Sequence, residues 1–151
     1  MTGQRAVIEA RDWLGTPYVH QASCNGAGCD CLGLLRGVWR AVLGVEPEAI
    51  PPYSPAWDEV GGRDLLRAAA MRHMAEIRFD AARPGDVLLF RMRRDAVAKH
   101  LGLLSVIGAR PRFIHAYSGQ GVVESALTAP WARRIDGVFR FPDAPHPQPG
   151  D

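Results

Sequence analysis

The chain has 151 residues, of which 47% are hydrophobic, and its 18 basic and 16 acidic residues leave a formal charge of +2 at pH 7. This composition predicts one compact domain with a substantial core and excludes a general nucleic-acid binder. Positive charge concentrates only in "RMRRDAVAK", residues 91–99, which fits a solvated hairpin edge or a contact with an anionic partner.

The N-terminal stretch "MTGQRAVIEARDWLG" lacks the apolar run and the small-residue cleavage site of a signal peptide. No apolar stretch approaches the ~20 residues needed to cross a bilayer. We therefore expect a protein without a membrane span that is synthesised in the cytoplasm. If it is exported, we expect it to leave without a standard signal peptide.

Two helices are predicted in the first third of the chain. Apolar residues in "QRAVIEARDWL", residues 4–14, recur at mostly helical spacing and end before Gly15. A second apolar stripe begins after Asp30, a plausible N-cap, and ends at Gly44. Cys31 then occupies the first turn of the second helix.

The remainder of the chain changes from helical to strand periodicity. A proline-rich excursion, residues 46–62, precedes a third predicted helix over residues 63–77. Short β-rich runs follow, as in an antiparallel meander: "RPGDVLLFRM" (83–92), "HLGLLSVIG" (100–108), "RFIHAYSG" (112–119), "GVVES" (121–125) and "DGVFRFP" (136–142). We expect an α+β domain, residues 1–141, with N-terminal helices packed on one face of an antiparallel β-sheet, and a proline-rich tail, residues 142–151.

Three cysteines, Cys24, Cys29 and Cys31, lie within eight positions. An odd number so crowded is a poor disulfide framework, because at least one thiol must stay unpaired. Cys31 differs from the other two because it begins a helix. There the backbone N–H groups stabilise a thiolate and, with a cationic neighbour, lower the pKa of a cysteine. This position suits a nucleophile, and the alternative is a small buried hydrophobe.

A cysteine nucleophile needs a base, and the chain has five histidines. His100 begins one predicted strand and His115 lies inside the next, so adjacent antiparallel strands can bring both imidazoles to the same face. The other three histidines are expected to be peripheral: His20 in a loop, His73 on the surface of the third helix, and His146 in the tail.

Four separated motifs resemble the NlpC/P60 cysteine peptidases. "GTPYVHQASCNGAGCDCLGLLRGVW" resembles the family's G-T-P-Y … D-C-S-G-L segment, and "RPGDVLLF" its P-G-D-L-V-F-F strand. "KHLGLL" is similar to S-H-V-G-I-Y, and "RFIHAYSGQGVVES" to the F-I-H-A segment. The match runs in the family's order from Gly15 to Phe141. It implies a small papain-like fold that cuts peptidoglycan stem peptides, often between D-glutamate and diaminopimelate.

The resemblance implies roles for five residues. The family's nucleophile falls on Cys31, its general base on His100, and the residue that orients the base on His115. Tyr18 would help to hold the oxyanion, and Asp30 would help to bind a substrate amino group. The residues alone leave open a packed aromatic for Tyr18 and a simple N-cap for Asp30.

The implied mechanism needs no cofactor. A Cys31 thiolate, held against a His100 imidazolium, attacks the amide carbonyl, and His100 then protonates the leaving amine. Water releases the acyl-enzyme with His100 as the base, and His115 holds the His100 tautomer.

One residue departs from the family's motif. Leu32 stands where the family has the serine that follows the cysteine, and that serine is thought to help bind a free substrate amine. Recognition of a free amine, and with it the bond that is cleaved, is therefore an open point.

Two alternatives have other chemistry. His20 with the three cysteines could supply four zinc ligands, although paired C-x-x-C knuckles are missing and C-x-C makes a cramped chelate. The chain could also be an inactive peptidase fold kept as a structural part of a phage tail.

The variant motifs and the short chain look most like the cell-wall peptidases encoded with phage tail genes, including those of gene transfer agents. This likeness implies a tail-tip or baseplate partner and action in the periplasm of a recipient cell. The candidate docking segments are residues 46–55 and the tail after Pro142, which are the exposed stretches least needed by the core.

Overall fold

The computed structural model describes residues 2–50, 65–92 and 98–143. Most of the proline-rich excursion, the centre of the basic cluster and the tail from residue 144 lie outside this described part. The described helices are α1 (Thr2–Asp12), α2 (Cys31–Leu43), α3 (Leu65–His73) and α4 (Ala129–Ala132). The described strands are β1 (Ser23–Cys24), β2 (Gly28–Cys29), β3 (Ala75–Ile77), β4 (Val87–Phe90), β5 (His100–Val106), β6 (Arg112–Tyr117), β7 (Gly121–Ala126) and β8 (Ile135–Arg140).

The helices and the antiparallel sheet confirm the predicted α+β class. The boundaries of α2 are those that the sequence predicts, because Asp30 caps its start and Gly44, with φ 95°, ends it. α1 begins and ends two residues earlier than predicted. None of the described helices is both long and apolar enough to cross a bilayer.

The main sheet has the strand order β3-β8-β4-β5-β6-β7, with antiparallel pairing throughout. β4 to β7 form the predicted meander, but the last strand does not extend it. β8 instead returns across the sheet and pairs with β4 on one side and β3 on the other. The meander prediction is therefore wrong for the "DGVFRFP" run.

The third helix is shorter than predicted. It ends at His73, and Ala75–Ile77 forms the edge strand β3, whose residues pair with Arg140 to Val138 of β8. The helical propensity of this stretch is overridden by backbone pairing with a segment some 60 residues later in the chain. The predicted start of this helix, residues 63–64, lies outside the described residues.

The two faces of the sheet bury different cores. One face packs against α1 and α2, where Ala6, Leu34 and Val38 meet Leu101 and Ile114. This arrangement confirms that the Cys31 helix covers one face. The second face is aromatic, with a core cluster made of Leu88, Phe90, Leu104, Phe113, Leu127 and Val138. Each fully buried large apolar side chain contributes about 1.5–3 kcal/mol relative to exposure.

Candidate active site

A short parallel bridge positions the start of α2. The N–H of Cys29 donates to the carbonyl of Pro17 at 3.0 Å, and the N–H of Val19 donates to the carbonyl of Cys29 at 3.1 Å. Tyr18 therefore lies beside the strand that leads directly into α2. The β1–β2 hairpin, which the sequence analysis did not predict, completes this frame by pairing Ser23 with Cys29.

Gly33 allows the preceding loop to pass close over the first turn of α2. A Cβ at this position would lie 1.8 Å from the carbonyl oxygen of Ala22. The Ser23 hydroxyl also donates to the Gly33 carbonyl at 2.6 Å. The glycine two positions after Cys31 is therefore required by packing, because any side chain would displace the loop.

Asp30 is a buried N-cap. Its Oδ1 accepts a hydrogen bond from the Gly33 N–H and its Oδ2 accepts one from the Gln21 N–H, both at 2.7 Å. The second bond helps to hold Gln21 at a φ of 64°, which non-glycine residues rarely adopt. The predicted cap is confirmed. The predicted contact with substrate stays a prediction.

The three cysteines have different surroundings. Cys24 is exposed and Cys29 is fully buried, whereas Cys31 is partly buried at the first position of α2. Burial, together with the nearby Asp30 charge, raises the pKa of Cys29 to about 12. The Cys29 thiol is therefore held in its unreactive form. Cys31 combines access with the positive end of a helix.

Tyr18 keeps its proton over the working pH range. Burial, with smaller effects of the nearby Cys31, Asp30 and Cys29, raises the pKa of its hydroxyl to about 12. A hydroxyl that stays protonated beside Cys31 can donate a hydrogen bond. This environment is compatible with the predicted oxyanion role, which stays a prediction.

The structure brings the two predicted histidines together on the aromatic face of the sheet. His100 Nε2 lies 2.8 Å from His115 Nδ1, a hydrogen-bond distance. Gly102 makes the close approach possible, because a Cβ there would lie 2.9 Å from a ring carbon of Phe113 and 3.1 Å from the Cβ of His115. We call this hydrogen-bonded pair the imidazole pair.

Aromatic rings enclose the imidazole pair. Trp131, on the short helix α4, has its ring centroid 5.8 Å from that of His100 and 5.3 Å from that of His115. Phe90 lies 5.8 Å from His100, and Phe113 lies 4.2 Å from His115. The guanidinium of Arg134 stacks on Trp131 at 5.7 Å. Only 7% of His100 and 1% of His115 remain accessible to solvent.

This burial keeps both imidazoles uncharged. Desolvation lowers the pKa of His100 to about 3, with a smaller effect of the neighbouring His115, and it lowers the pKa of His115 to about 4. The predicted mechanism starts from a His100 imidazolium. The environment instead favours a neutral imidazole at rest, which takes up a proton only when negative charge develops beside it.

Backbone hydrogen bonds tie the loop before α2 to the end of the sheet that carries the imidazole pair. The Gly15 N–H donates to the carbonyl of Val122, and the Val122 N–H donates to the carbonyl of Thr16, so the loop before α2 is tied to the start of β7. Tyr117 pairs with Gly121 at that end, and its ring lies 5.8 Å from that of His100. α2 also packs on β5 and β6, which carry the two histidines, but against the face opposite to the aromatic one.

Two residues of this region were missed by the sequence analysis. Ser125 Oγ lies 3.0 Å from His115 Nε2, and Trp131 covers both imidazoles. The stretch "TAPWA" does carry a local helix signal, because Pro130 stands in the first turn after Thr128. The position of Ser125 depends on the register of β6 and β7, which the sequence does not specify.

Leu32, which replaces the family's serine, points away from polar surroundings. It is 8% exposed and lines a cavity of about 80 Å³ between α2, α3 and the sheet. The other lining side chains are mostly apolar, among them Leu35, Trp39, Leu66 and Leu101. This position therefore offers no hydroxyl for a substrate amine.

The zinc hypothesis is not supported by the arrangement of its ligands. Among the residues that the structure describes, no group of three or more His, Cys, Asp or Glu side chains could hold a metal ion. The hairpin exposes Cys24 and buries Cys29, so the thiols do not converge. His20 lies 3.8 Å from Asp30, and His73 is partly buried and bonded to Glu48 at 3.0 Å instead of lying free on the surface.

Comparison with known proteins gives one family. Residues 15–140 match the NlpC/P60 family. The chain is 27% identical over 137 residues to the gamma-DL-glutamyl hydrolase of Bacillus subtilis (strain 168), a match that covers 89% of this chain and 28% of that protein. The chain thus spans little more than a quarter of this curated relative.

Solved structures show the same fold. The NlpC/p60 domain of the peptidoglycan hydrolase SagA has a TM-score of 0.61 at 24% identity, with 92% of this chain and 98% of that chain covered. An NlpC/P60 family protein from Bacillus cereus ATCC 10987 has a TM-score of 0.65 at 19% identity, with 92% and 40% covered. These likenesses confirm the predicted papain-like fold.

Proposed function

Because the chain belongs to the NlpC/P60 family, we propose that it is a cysteine peptidase that hydrolyses γ-D-glutamyl bonds in peptidoglycan stem peptides. The observation that carries this proposal is the imidazole pair, buried on adjacent strands at the end of the sheet to which the loop before α2 is tied. The name of the Bacillus subtilis relative, a gamma-DL-glutamyl hydrolase, supports the choice of bond.

The proposed reaction starts from a neutral thiol and a neutral imidazole. His100 Nε2 is engaged with His115, so Nδ1 is the nitrogen that can take the thiol proton. As that proton leaves, Cys31 Sγ forms a bond to the amide carbonyl carbon. The oxyanion accepts hydrogen bonds from the backbone at the start of α2 and from the Tyr18 hydroxyl.

The intermediate then collapses with proton transfer in the opposite direction. The His100 imidazolium gives its proton to the leaving amine as the C–N bond breaks, which leaves an acyl-enzyme on Cys31. Water adds to the thioester with His100 as the base and releases the acid and the thiol. His115 holds the His100 ring and shares the charge of the imidazolium.

We expect no dependence on a free substrate amino terminus. Both carboxylate oxygens of Asp30 bond to the backbone, and the buried Leu32 offers no hydroxyl. Purified stem peptides with a free and with an acylated L-alanine amine should therefore be cleaved at similar rates. A preference of tenfold or more for the free amine would contradict this expectation.

The decisive experiment is digestion of diaminopimelate-type peptidoglycan with identification of the released fragments by mass spectrometry. Cleavage between D-glutamate and diaminopimelate supports the proposal. Cys31→Ala and His100→Ala should each lower turnover by about 10⁴-fold or more, whereas His115→Ala should leave a weakened enzyme. Cys24→Ala is the matched control and should retain full activity, because that thiol is exposed and lies outside α2.

Two outcomes would overturn the proposal. Full activity in Cys31→Ala would remove the nucleophile. Failure to cleave any stem peptide, together with a Cys31 thiol that alkylates no faster than Cys24, would favour the inactive structural protein.

We also propose that a phage-type tail particle delivers the protein. This proposal rests only on the resemblance of its sequence motifs to those of phage-type peptidases. The predicted docking segments lie largely outside the described residues. Density-gradient fractionation of producer lysates tests this proposal, because a particle component sediments with intact particles. A protein found wholly in the soluble fractions would contradict it.

A further inference from the structure

The hydrogen-bonded chain that begins at His100 continues beyond His115. His115 Nε2 lies 3.0 Å from the hydroxyl oxygen of Ser125 on β7. In the β6–β7 register, Phe113 pairs with Ser125 and His115 pairs with Val123, so His115 and Ser125 are diagonal neighbours on one face. Three side chains on three adjacent strands therefore form one continuous chain: His100, His115 and Ser125.

We propose that Ser125 is a positioning residue whose hydroxyl oxygen accepts a hydrogen bond from the Nε2–H of His115. This bond fixes which nitrogen of each imidazole in the pair carries the proton, which we call the proton order. This inference rests on the proposed function, in which His100 is the base. Ser125 does not touch substrate and acts through His115.

Two proton orders are compatible with the distances. In the first order, His100 donates from Nε2 to His115 Nδ1, and His115 donates from Nε2 to Ser125, so His100 keeps a lone pair on Nδ1. In the second order each hydrogen bond runs the other way: Ser125 donates to His115 Nε2, and His115 donates from Nδ1 to His100 Nε2. His100 then carries its own proton on Nδ1. Only the first order leaves His100 able to take the proton of Cys31.

The surroundings make Ser125 the acceptor that the first order requires. His115 is 1% exposed, so a proton on its Nε2 depends on a protein acceptor. Its other close neighbours are the rings of Phe113, Tyr117 and Trp131, which offer no hydrogen-bond acceptor of comparable strength at Nε2. Ser125 is only partly buried on the edge strand β7, so its own hydroxyl proton can be given to solvent.

The first test reads the proton order directly and needs no substrate. Nitrogen-15 NMR of uniformly labelled histidine distinguishes the two neutral tautomers of each imidazole. The proposal expects both His100 and His115 to be protonated on Nε2 at neutral pH. A His115 ring protonated on Nδ1 in the unaltered protein overturns the proposal.

The second test removes the acceptor. In Ser125→Ala, we expect mixed His115 tautomers and a roughly tenfold slower alkylation of Cys31 by iodoacetamide near neutral pH. Ser125→Thr keeps the hydroxyl and should restore both the tautomer and the rate. The matched control is Ser105→Ala, which removes a buried hydroxyl that donates to Glu124 at 2.7 Å without belonging to the chain.

The outcomes separate this proposal from the proposed peptidase activity. An unchanged His115 tautomer and an unchanged alkylation rate in Ser125→Ala overturn the positioning role. Equal slowing in Ser125→Ala and Ser105→Ala also overturns it, because the effect would then follow from general loosening of the sheet. If the Nε2 tautomers and the threonine rescue are observed while stem peptides stay uncut, the peptidase proposal fails and the role of Ser125 stands.

Discussion

The two halves of the candidate site are built by different kinds of contact. In the thiol half, residues 16–44, Asp30 binds Gln21 and Gly33, and Tyr18 lies against Cys29, so each contact closes a loop of no more than about ten residues. In the imidazole half, residues 100–131, the partners come from separate strands and from α4. The thiol half is organised by its local sequence, whereas the imidazole half depends on the register of the sheet.

The two halves should therefore be sensitive to different perturbations. The thiol half is polar and tied by hydrogen bonds, so it should fail when a cap or a backbone bond is lost. The imidazole half is enclosed by Phe90, Phe113 and Trp131, so it should fail when charge is forced into it. Three perturbations test this contrast.

The largest expected effect is acid destabilisation of the imidazole half. The folded pKa values of His100 and His115, about 3 and about 4, lie below the value of about 6.5 for an unfolded chain. Between these values the unfolded chain binds more protons than the folded chain. The stability that depends on the neutral pair is therefore retained above the unfolded pKa of ~6.5 and is lost as the pH falls below it. Because of this pair, we expect the free energy of unfolding, measured with urea, to fall by roughly 4 kcal/mol between pH 7 and 5.

Substitution of one imidazole isolates this effect from other acidic groups. His115→Gln should remove about half of the pH dependence between pH 7 and 5, because one buried proton acceptor is gone. His73→Gln removes a histidine outside the pair and serves as the comparison. Parallel curves for His115→Gln and the unaltered protein would show that the pair does not control acid stability.

Loss of the Asp30 cap is the next largest perturbation and acts on the thiol half. Asp30→Ala removes one buried and one partly buried hydrogen bond from backbone N–H groups, and we expect a loss of about 2–3 kcal/mol in the free energy of unfolding. Asp12→Ala removes an exposed carboxylate that accepts one bond from Asn25 and should cost little. Equal stability of the two variants would mean that the cap does not organise this loop.

The smallest expected effect is on the oxyanion. Tyr18→Phe removes a hydroxyl that stays protonated at working pH, and we expect a fall of about tenfold in kcat with little change in KM. Stem-peptide cleavage followed by mass spectrometry gives both constants, and the unfolding curve should stay unchanged. A fall in affinity with kcat preserved would instead assign Tyr18 to substrate binding.

The sequence predicts the thiol half better than the imidazole half. The bounds of α2 follow from Asp30 and Gly44, which act on their own neighbours. The adjacency of His100 and His115 also follows from simple alternation along two consecutive strands. Ser125 and Trp131 could not be predicted, because their places depend on the β6–β7 register and on how α4 folds back over the sheet.

The wrong fold predictions have the same physical origin. Residues 75–77 continue a helical composition, but β8 offers them backbone partners that no local pattern reveals. β8 itself follows β7 in sequence and lies on the far side of β4. Long-range pairing therefore decides both the end of α3 and the final strand order.

Gly33 has a consequence for how relatives of this chain are recognised. A side chain there would collide with the carbonyl of Ala22 whether or not Cys31 carries a thiol. Selection for the fold alone would thus retain the aspartate and glycine of the D-C-x-G signature after catalysis had been lost. A signature search that weights these two positions would gather active and inactive proteins together, and only the cysteine, read jointly with both histidines, would separate them.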